Sequence, residues 1–177
     1  MDGTEANIIQ WLNQPWGRMA DALMFAASAI GEWGVVWWGV CAALALLGGT
    51  QGRRMALFIA AAIILSVAID ALIKTAWFRP RPYMVLQDIR QIGRLWADSS
   101  LPSGHASSSA AATIILARFD RRAGIAAAIY TLLSCFSRPY LGMHWPSDVL
   151  GGLGTGIVAA LLVLGIGRLI ARARSPA

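Results

Sequence analysis

Charge is scarce in this chain: 14% of its 177 residues are Asp, Glu, Lys or Arg, against 57% hydrophobic ones. A soluble domain carries roughly 25% charged residues, so the composition excludes an ordinary soluble protein and reads as an integral membrane one. Cysteine is nearly absent. Cys41 and Cys135 both lie inside apolar runs, where they act as small buried hydrophobes and not as a disulfide. Histidine is as rare, with His105 and His144 alone, and there is no Cys-x-x-Cys or His-Glu-x-x-His. A dedicated transition-metal site is therefore not expected. The start of the chain has Asp2 and Glu5 and lacks the basic start, apolar core and small-residue cleavage site of a removable signal peptide. The first membrane helix is expected to serve as an uncleaved anchor. The formal charge of +6 resides in arginines set in short loops, which argues against nucleic acid as a partner and for a lipid bilayer.

What the chain does have is apolar runs separated by short polar breaks. Residues 6–16 mix Ile8, Ile9, Trp11 and Leu12 with amides and suit the lipid interface. A first span of about Arg18–Ile30 is interrupted by Asp21, and after a Gly31-Glu32 turn a second runs from Trp33 to Gly49. A basic loop, 48–54, leads to a third span, Met55–Ile73, long enough to cross about 30 Å of hydrocarbon. Asp70 and Lys74 close it in i,i+4 positions, with Asp70 expected to pair either with Lys74 or elsewhere in the bundle. The Pro- and charge-rich stretch 75–103 reads as a loop outside the membrane. Gly104–Ala117, Ala123–Phe136 and Val149–Ile170 supply the remaining spans, and Gly152-x-x-x-Gly156 marks a face that another helix can approach closely. The expectation is a single all-α domain over residues 1–177, a bundle of six transmembrane helices.

Six crossings divide the basic residues into two sets. Arg18, Arg53, Arg54, Arg118, Arg121, Arg122, Arg168, Arg172 and Arg174 fall on one side, and the positive-inside rule puts these, with both termini, in the cytoplasm. Lys74, Arg79, Arg81, Arg90, Arg94 and Arg138 fall on the outer, periplasmic or extracellular side, close to both histidines. An anionic ligand explains that second concentration.

Three segments meet at this outer face. Lys74, Arg81 and Arg138 offer cationic donors to phosphate oxygens, and Ser103 with the Gly104 amide opens a helix whose N-terminus favours an anion. His144, held by Asp148 four residues on, suits a nucleophile, while His105 suits the acid that protonates a leaving oxygen. The product of the first step would be a phosphohistidine, hydrolysed by water with His105 as base. Each part has a plainer reading alone: Arg79 and Arg81 as headgroup anchors, Pro-Ser-Gly-His as a helix start, Arg90 and Arg94 as a solvated loop face in place of a second phosphate site. Asp21 and Asp70 are assigned no catalytic role.

Lys74-x6-Arg81-Pro82, Pro102-Ser103-Gly104-His105 and Ser137-Arg138-x5-His144-x3-Asp148 resemble, with no position missing, the three-part signature of the type 2 phosphatidic acid phosphatase superfamily. The resemblance implies His144 as nucleophile, Asp148 as its orienter, His105 as general acid, and Lys74, Arg81, Ser103, Gly104 and Arg138 as the phosphate pocket. It also implies catalysis without metal or cofactor. The short chain and its compact ending look like the small bacterial undecaprenyl-diphosphate phosphatases of the inner membrane. Phosphatidylglycerol phosphate, phosphatidic acid and lipid A 1-phosphate are the alternative lipid substrates. A phosphotransferase passing the phosphoryl group to a second lipid is a rival enzyme; a non-catalytic lipid-binding or transport protein is a rival of another class.

Overall fold

Apolar runs interrupted by glycine and proline set the elements. A computed structural model describes residues 3–174, and every regular element among them is helical. Asp2, one of the two acids weighed at the N-terminus, lies outside the described residues. The short α1 (Gly3–Leu12) buries Ile9 and Leu12 and leaves Trp11 exposed, which is the amphipathic character expected of residues 6–16. Next come α2 (Arg18–Gly31) and α3 (Val35–Leu47), joined by a tight turn in which Trp33 (φ 55°) and Gly34 (φ 68°) both take left-handed backbone. The long α4 (Gly49–Ala76) absorbs residues 49–54, expected as loop, into its first turns. Within the expected 75–103 loop, a proline-initiated turn of helix forms α5 (Pro82–Val85).

The centre of the bundle is α6 (Gly104–Phe119). Its alanines and serines are buried on nearly every face, because small side chains let α4, α7 (Arg121–Tyr140) and α8 (Pro146–Ala173) approach together. The Gly152/Gly156 face of α8 lies directly against it. A Cβ on Gly152 would stand 2.4 Å from the Ser103 carbonyl oxygen, and one on Gly156 2.2 Å from that of Ser107. In this seam Ser107 and Thr155 both donate to Asp70, the second at 2.7 Å. Asp70 is thus committed to α6 and α8, the second of the two partnerships its sequence position leaves open.

Three stretches among the described residues are long and apolar enough to cross a membrane: Arg18–Leu47, Gly49–Ala76 and Pro146–Ala173. The first spans both α2 and α3. At 14 and 13 residues these helices are each only about 20 Å long, too short to cross alone. Asp21, near the start of α2, bonds Tyr140 at the end of α7 (2.8 Å); further along, Ala27 accepts from Tyr130 (3.2 Å), and on α3 Trp37 donates to Ser109 (3.0 Å). The expected first and second spans are therefore two halves of one descent along the bundle. With α4, α6, α7 and α8 this makes five traverses of the bundle, where six membrane spans were expected. Both termini were expected on one side; in the bundle, α1 sits at the end that carries His144, through a Glu5–Arg79 ion pair of 2.6 Å. The last turns of α8, with Arg168, lie beside Arg54 and Arg118 at the opposite end.

Candidate active site

Prolines and helix ends position the charged groups. Arg81 follows Pro80 and precedes Pro82, so its backbone is held extended (φ −75°, ψ 155°) where α4 has ended, and its side chain turns inward to 3% exposure. Arg138 occupies the last turn of α7, buried to 5%. His144 lies in the turn between α7 and α8, two residues before Pro146 starts α8. Met143 accepts from Arg81 (3.0 Å) and donates to the Arg138 carbonyl (3.0 Å), so the turn is stitched to both arginines.

The hydrogen bonds settle the state of His144. Its Nδ1 lies 2.7 Å from the Ser100 carbonyl, which only accepts, so Nδ1 carries the proton. Its Nε2 lies 3.1 Å from Arg81 Nη1, which only donates, so Nε2 presents a lone pair toward the cations. Burial holds the imidazole well below its ordinary pKa, and the charges of Arg138, Arg81 and Lys74 depress it further. A neutral histidine with its Nε2 lone pair toward the cations follows. Asp148, wholly buried, stands 3.8 Å from Nδ1; its Oδ2 accepts from the Trp145 backbone amide at 2.8 Å. The orienting hydrogen bond expected from Asp148 is thus made by Ser100, and Asp148 acts on the ring by charge at slightly longer range.

His105 sits in the first turn of α6, with Nε2 donating to the Ser28 carbonyl on α2 at 2.9 Å. Ser28 also bonds Arg138 through its hydroxyl. To act as an acid, the ring would have to be protonated and exchange the Ser28 bond for one to a leaving oxygen. Among the described residues three buried side-chain atoms have no hydrogen-bond partner, Arg138 Nε, Ser103 Oγ and Ser134 Oγ, the first two in this cationic region. Orphaned donors in a cationic site are what an anion satisfies.

Lys74, Arg81, Gly104, His105, Arg138 and His144 line one cavity of about 480 Å3. Ser103 and Asp148 are buried beside it, linked by a 3.0 Å bond from the Ser103 amide to the Asp148 carbonyl. The three separated motifs thus converge. The cavity's other wall is apolar, formed by Trp33, Trp38, Ile63, Ile64 and Val67, and several of these are exposed on the side of the bundle between α3 and α4.

Sequence reasoning missed Ser28, Ser100 and Asp98. Asp98 carries a carboxylate into the cavity, with Oδ2 2.5 Å from Lys74 Nζ and Oδ1 2.6 Å from Arg81 Nη2. Burial works to raise its pKa, but the hydrogen bonds and charges of Lys74 and Arg81 outweigh it and hold the carboxyl below its ordinary range. Trp96 of the same loop meets Trp33 edge-on at 5.5 Å, so the loop straps over the cavity mouth. Arg90, expected as a solvated loop residue, is paired with Asp21, and Arg94 lies over the Trp96 ring at 4.4 Å.

Comparison with known proteins places this geometry. Undecaprenyl-diphosphatase BcrC of Bacillus subtilis is 35% identical over 120 residues, covering 68% of this chain and 62% of that protein. The chain thus spans a little under two thirds of the length of that relative. The crystal structure of Aquifex aeolicus LpxE superposes with a TM-score of 0.79 at 22% identity, covering 90% of this chain and 93% of that one. That of a transmembrane PAP2 type phosphatidylglycerolphosphate phosphatase from Bacillus subtilis gives 0.69 at 21% identity, covering 95% and 86%. At such identities the two structures show a shared fold. The family model of the PAP2 superfamily matches residues 55–170, which contain all three motifs, and the chain belongs to that superfamily.

Proposed function

We propose that the protein is a membrane lipid phosphatase that removes the terminal phosphate of undecaprenyl diphosphate. The observation that carries this reading is the shape of the cavity: cationic at the end holding Lys74, Arg81, Arg138 and His144, apolar along Ile63, Ile64 and Val67. A free phosphate needs only the first end. An amphiphile uses both, with its phosphate among the arginines and the start of its tail against α3 and α4. The 35% identity to an undecaprenyl-diphosphatase favours a polyprenyl diphosphate among such amphiphiles.

His144 Nε2 attacks the terminal phosphorus as the bond to the bridging oxygen breaks. Lys74, Arg81 and Arg138 take up the charge on the non-bridging oxygens, with Ser103 and the Gly104 amide at the α6 N-terminus. His105, entering this step as the imidazolium, protonates the leaving lipid phosphate and becomes neutral. Water then attacks the phosphohistidine, His105 accepts its proton, and orthophosphate departs. Arg53, Arg54, Arg118, Arg121, Arg122 and Arg168 crowd the far end, whereas most basic residues at the site end are engaged by the cavity or by acids. That asymmetry supports a cytoplasmic far end and a site facing the periplasm or exterior.

The test is phosphate release by detergent-purified protein from undecaprenyl diphosphate, phosphatidylglycerol phosphate, phosphatidic acid and lipid A, with chelator present. Release fastest from undecaprenyl diphosphate and abolished by His144→Ala is expected. No release from any lipid, or an active His144→Ala, overturns the phosphatase reading; preference for another lipid overturns the substrate alone.

A further inference from the structure

Arg79 lies outside the three-part signature, and its plainest reading from sequence is a headgroup anchor. Its surroundings are different. Nη1 lies 2.6 Å from Asp148 Oδ1 and 2.6 Å from Ser147 Oγ, and Nη2 lies 2.6 Å from Glu5 Oε2 on α1. The Trp145 ring packs under the guanidinium at 5.5 Å. Glu5 closes the circuit, since its other oxygen accepts from the Ser147 amide at 2.9 Å. The Arg79 and Glu5 side chains are only 21% and 20% exposed, and Asp148 is fully buried.

Arg79 also reaches the nucleophile by a second path. Its carbonyl accepts from the Ser100 amide at 2.9 Å, and the Ser100 carbonyl accepts from His144 Nδ1 at 2.7 Å. Both groups beside Nδ1, the Ser100 carbonyl and the Asp148 carboxylate, are thus tied to one residue, Asp148 sharing its hold with the Trp145 amide. Asp148 is a buried carboxylate beside a neutral imidazole, so Arg79 is the cation that compensates it. As phosphorus bonds to Nε2, positive charge develops on the ring, and the distance from Asp148 to Nδ1 then sets how much of it is stabilised.

We infer that Arg79 is a positioning residue for the nucleophile, and that the Glu5–Arg79–Asp148 chain makes α1 part of the active site. The inference rests on the phosphatase reading and deepens it. Arg79 does not line the cavity, so it acts on the chemical step and not on phosphate capture.

The experiment is steady-state kinetics of R79Q, R79K and E5Q in detergent, with orthophosphate as competitive inhibitor. For R79Q, kcat is expected to fall about tenfold to a hundredfold, as a misplaced nucleophile does, while the orthophosphate Ki stays within about twofold of wild type. R79K recovers part of kcat, because an ammonium compensates Asp148 but cannot fork to Glu5 as well. A wild-type kcat in R79Q, or a Ki that rises in proportion to the lost kcat/KM, overturns the inference. Should R79Q fail to fold, E5Q decides: a drop of about two- to fivefold in kcat at unchanged Ki upholds it, and a wild-type kcat overturns it. The two readings part at the wild-type protein. No phosphate release there overturns both, whereas an active wild type with an unaffected R79Q overturns this one alone.

Discussion

Asp98 makes the pocket's occupancy measurable. Its carboxylate bridges Lys74 and Arg81 at 2.5 and 2.6 Å, so a phosphate that uses both cations must displace it. The Asp98 side chain is 46% exposed, which places the pairs in the screened regime, at roughly 0.5–1 kcal/mol each. Removing the competing charge by Asp98→Asn therefore strengthens anion binding by about 1–2 kcal/mol, or about five- to thirtyfold in the Ki of orthophosphate or orthovanadate. The assay is inhibition of lipid phosphate release at several inhibitor concentrations. The sign with pH follows from a carboxyl held below its ordinary range. Above the unfolded value near 3.8 the competition is complete, so wild type and variant differ by a constant factor from pH 5 to 8. The difference fades only as pH falls through the folded pKa. A Ki that is unchanged or weaker in Asp98→Asn refutes the reasoning, since Asp98 would then be arranging the cations for phosphate instead of competing with it.

Further outcomes follow from the same geometry. His144 is held neutral by burial and by the neighbouring cations, so the acid limb of its contribution to kcat/KM falls well below pH 6.5. Arg81→Gln, by removing one of those cations, moves that limb upward in a pH-rate profile. Over the same window the unfolded imidazole binds a proton that the folded one refuses. His144 therefore lowers stability as pH drops below about 6.5, which thermal unfolding in detergent at pH 5 and 7 detects as a lower Tm at pH 5. Gly156→Ala puts a methyl 2.2 Å from the Ser107 carbonyl oxygen, and parting α8 from α6 costs about 1–3 kcal/mol, visible as a reduced Tm. Five passes predict that Gln10→Cys and Arg172→Cys label from opposite sides of a sealed vesicle; labelling from one side restores an even count.

The site was far more legible in the sequence than the topology, for a physical reason. Phosphoryl transfer needs side chains of fixed type, and each occupies a short motif whose spacing is set by a helix turn or a proline, as with His144, Pro146 and Asp148. Groups that act through the backbone leave no such trace. Ser100 contributes a carbonyl that any residue has, and Ser28 is one more hydroxyl in an apolar helix. Arg79 did leave a signal, a charge pinned between Phe78 and Pro80, but its partner Glu5 lies 74 positions away. The topology misled because Gly31-Glu32 reads as a reversal of direction. Trp33 and Gly34 take left-handed backbone there, yet the chain continues downward. Helix length was the better guide, since neither α2 nor α3 crosses about 30 Å alone.

The break between α2 and α3 has a use that an unbroken helix would not provide. It falls at the level of the cavity, where Gly31 lies so close to His105 and Tyr130 that a Cβ would stand 2.9 Å from the imidazole and 2.7 Å from the phenol oxygen. Above it, α2 brings Ser28 to His105 and Arg138; below it, Trp33 and Trp38 turn toward α4 and form the apolar wall. A straight helix through this region would serve one of those surfaces. Two short helices meeting at a left-handed turn serve both, so the polar half of the cavity and its apolar half share a single pivot. The strap ties to the same pivot through Trp96 and Trp33, and Asp98 lies two residues further along it. On the proposed reading, displacement of Asp98 by phosphate and seating of a lipid tail against Trp38 would act on one joint from opposite sides, which would favour a ligand that carries both groups.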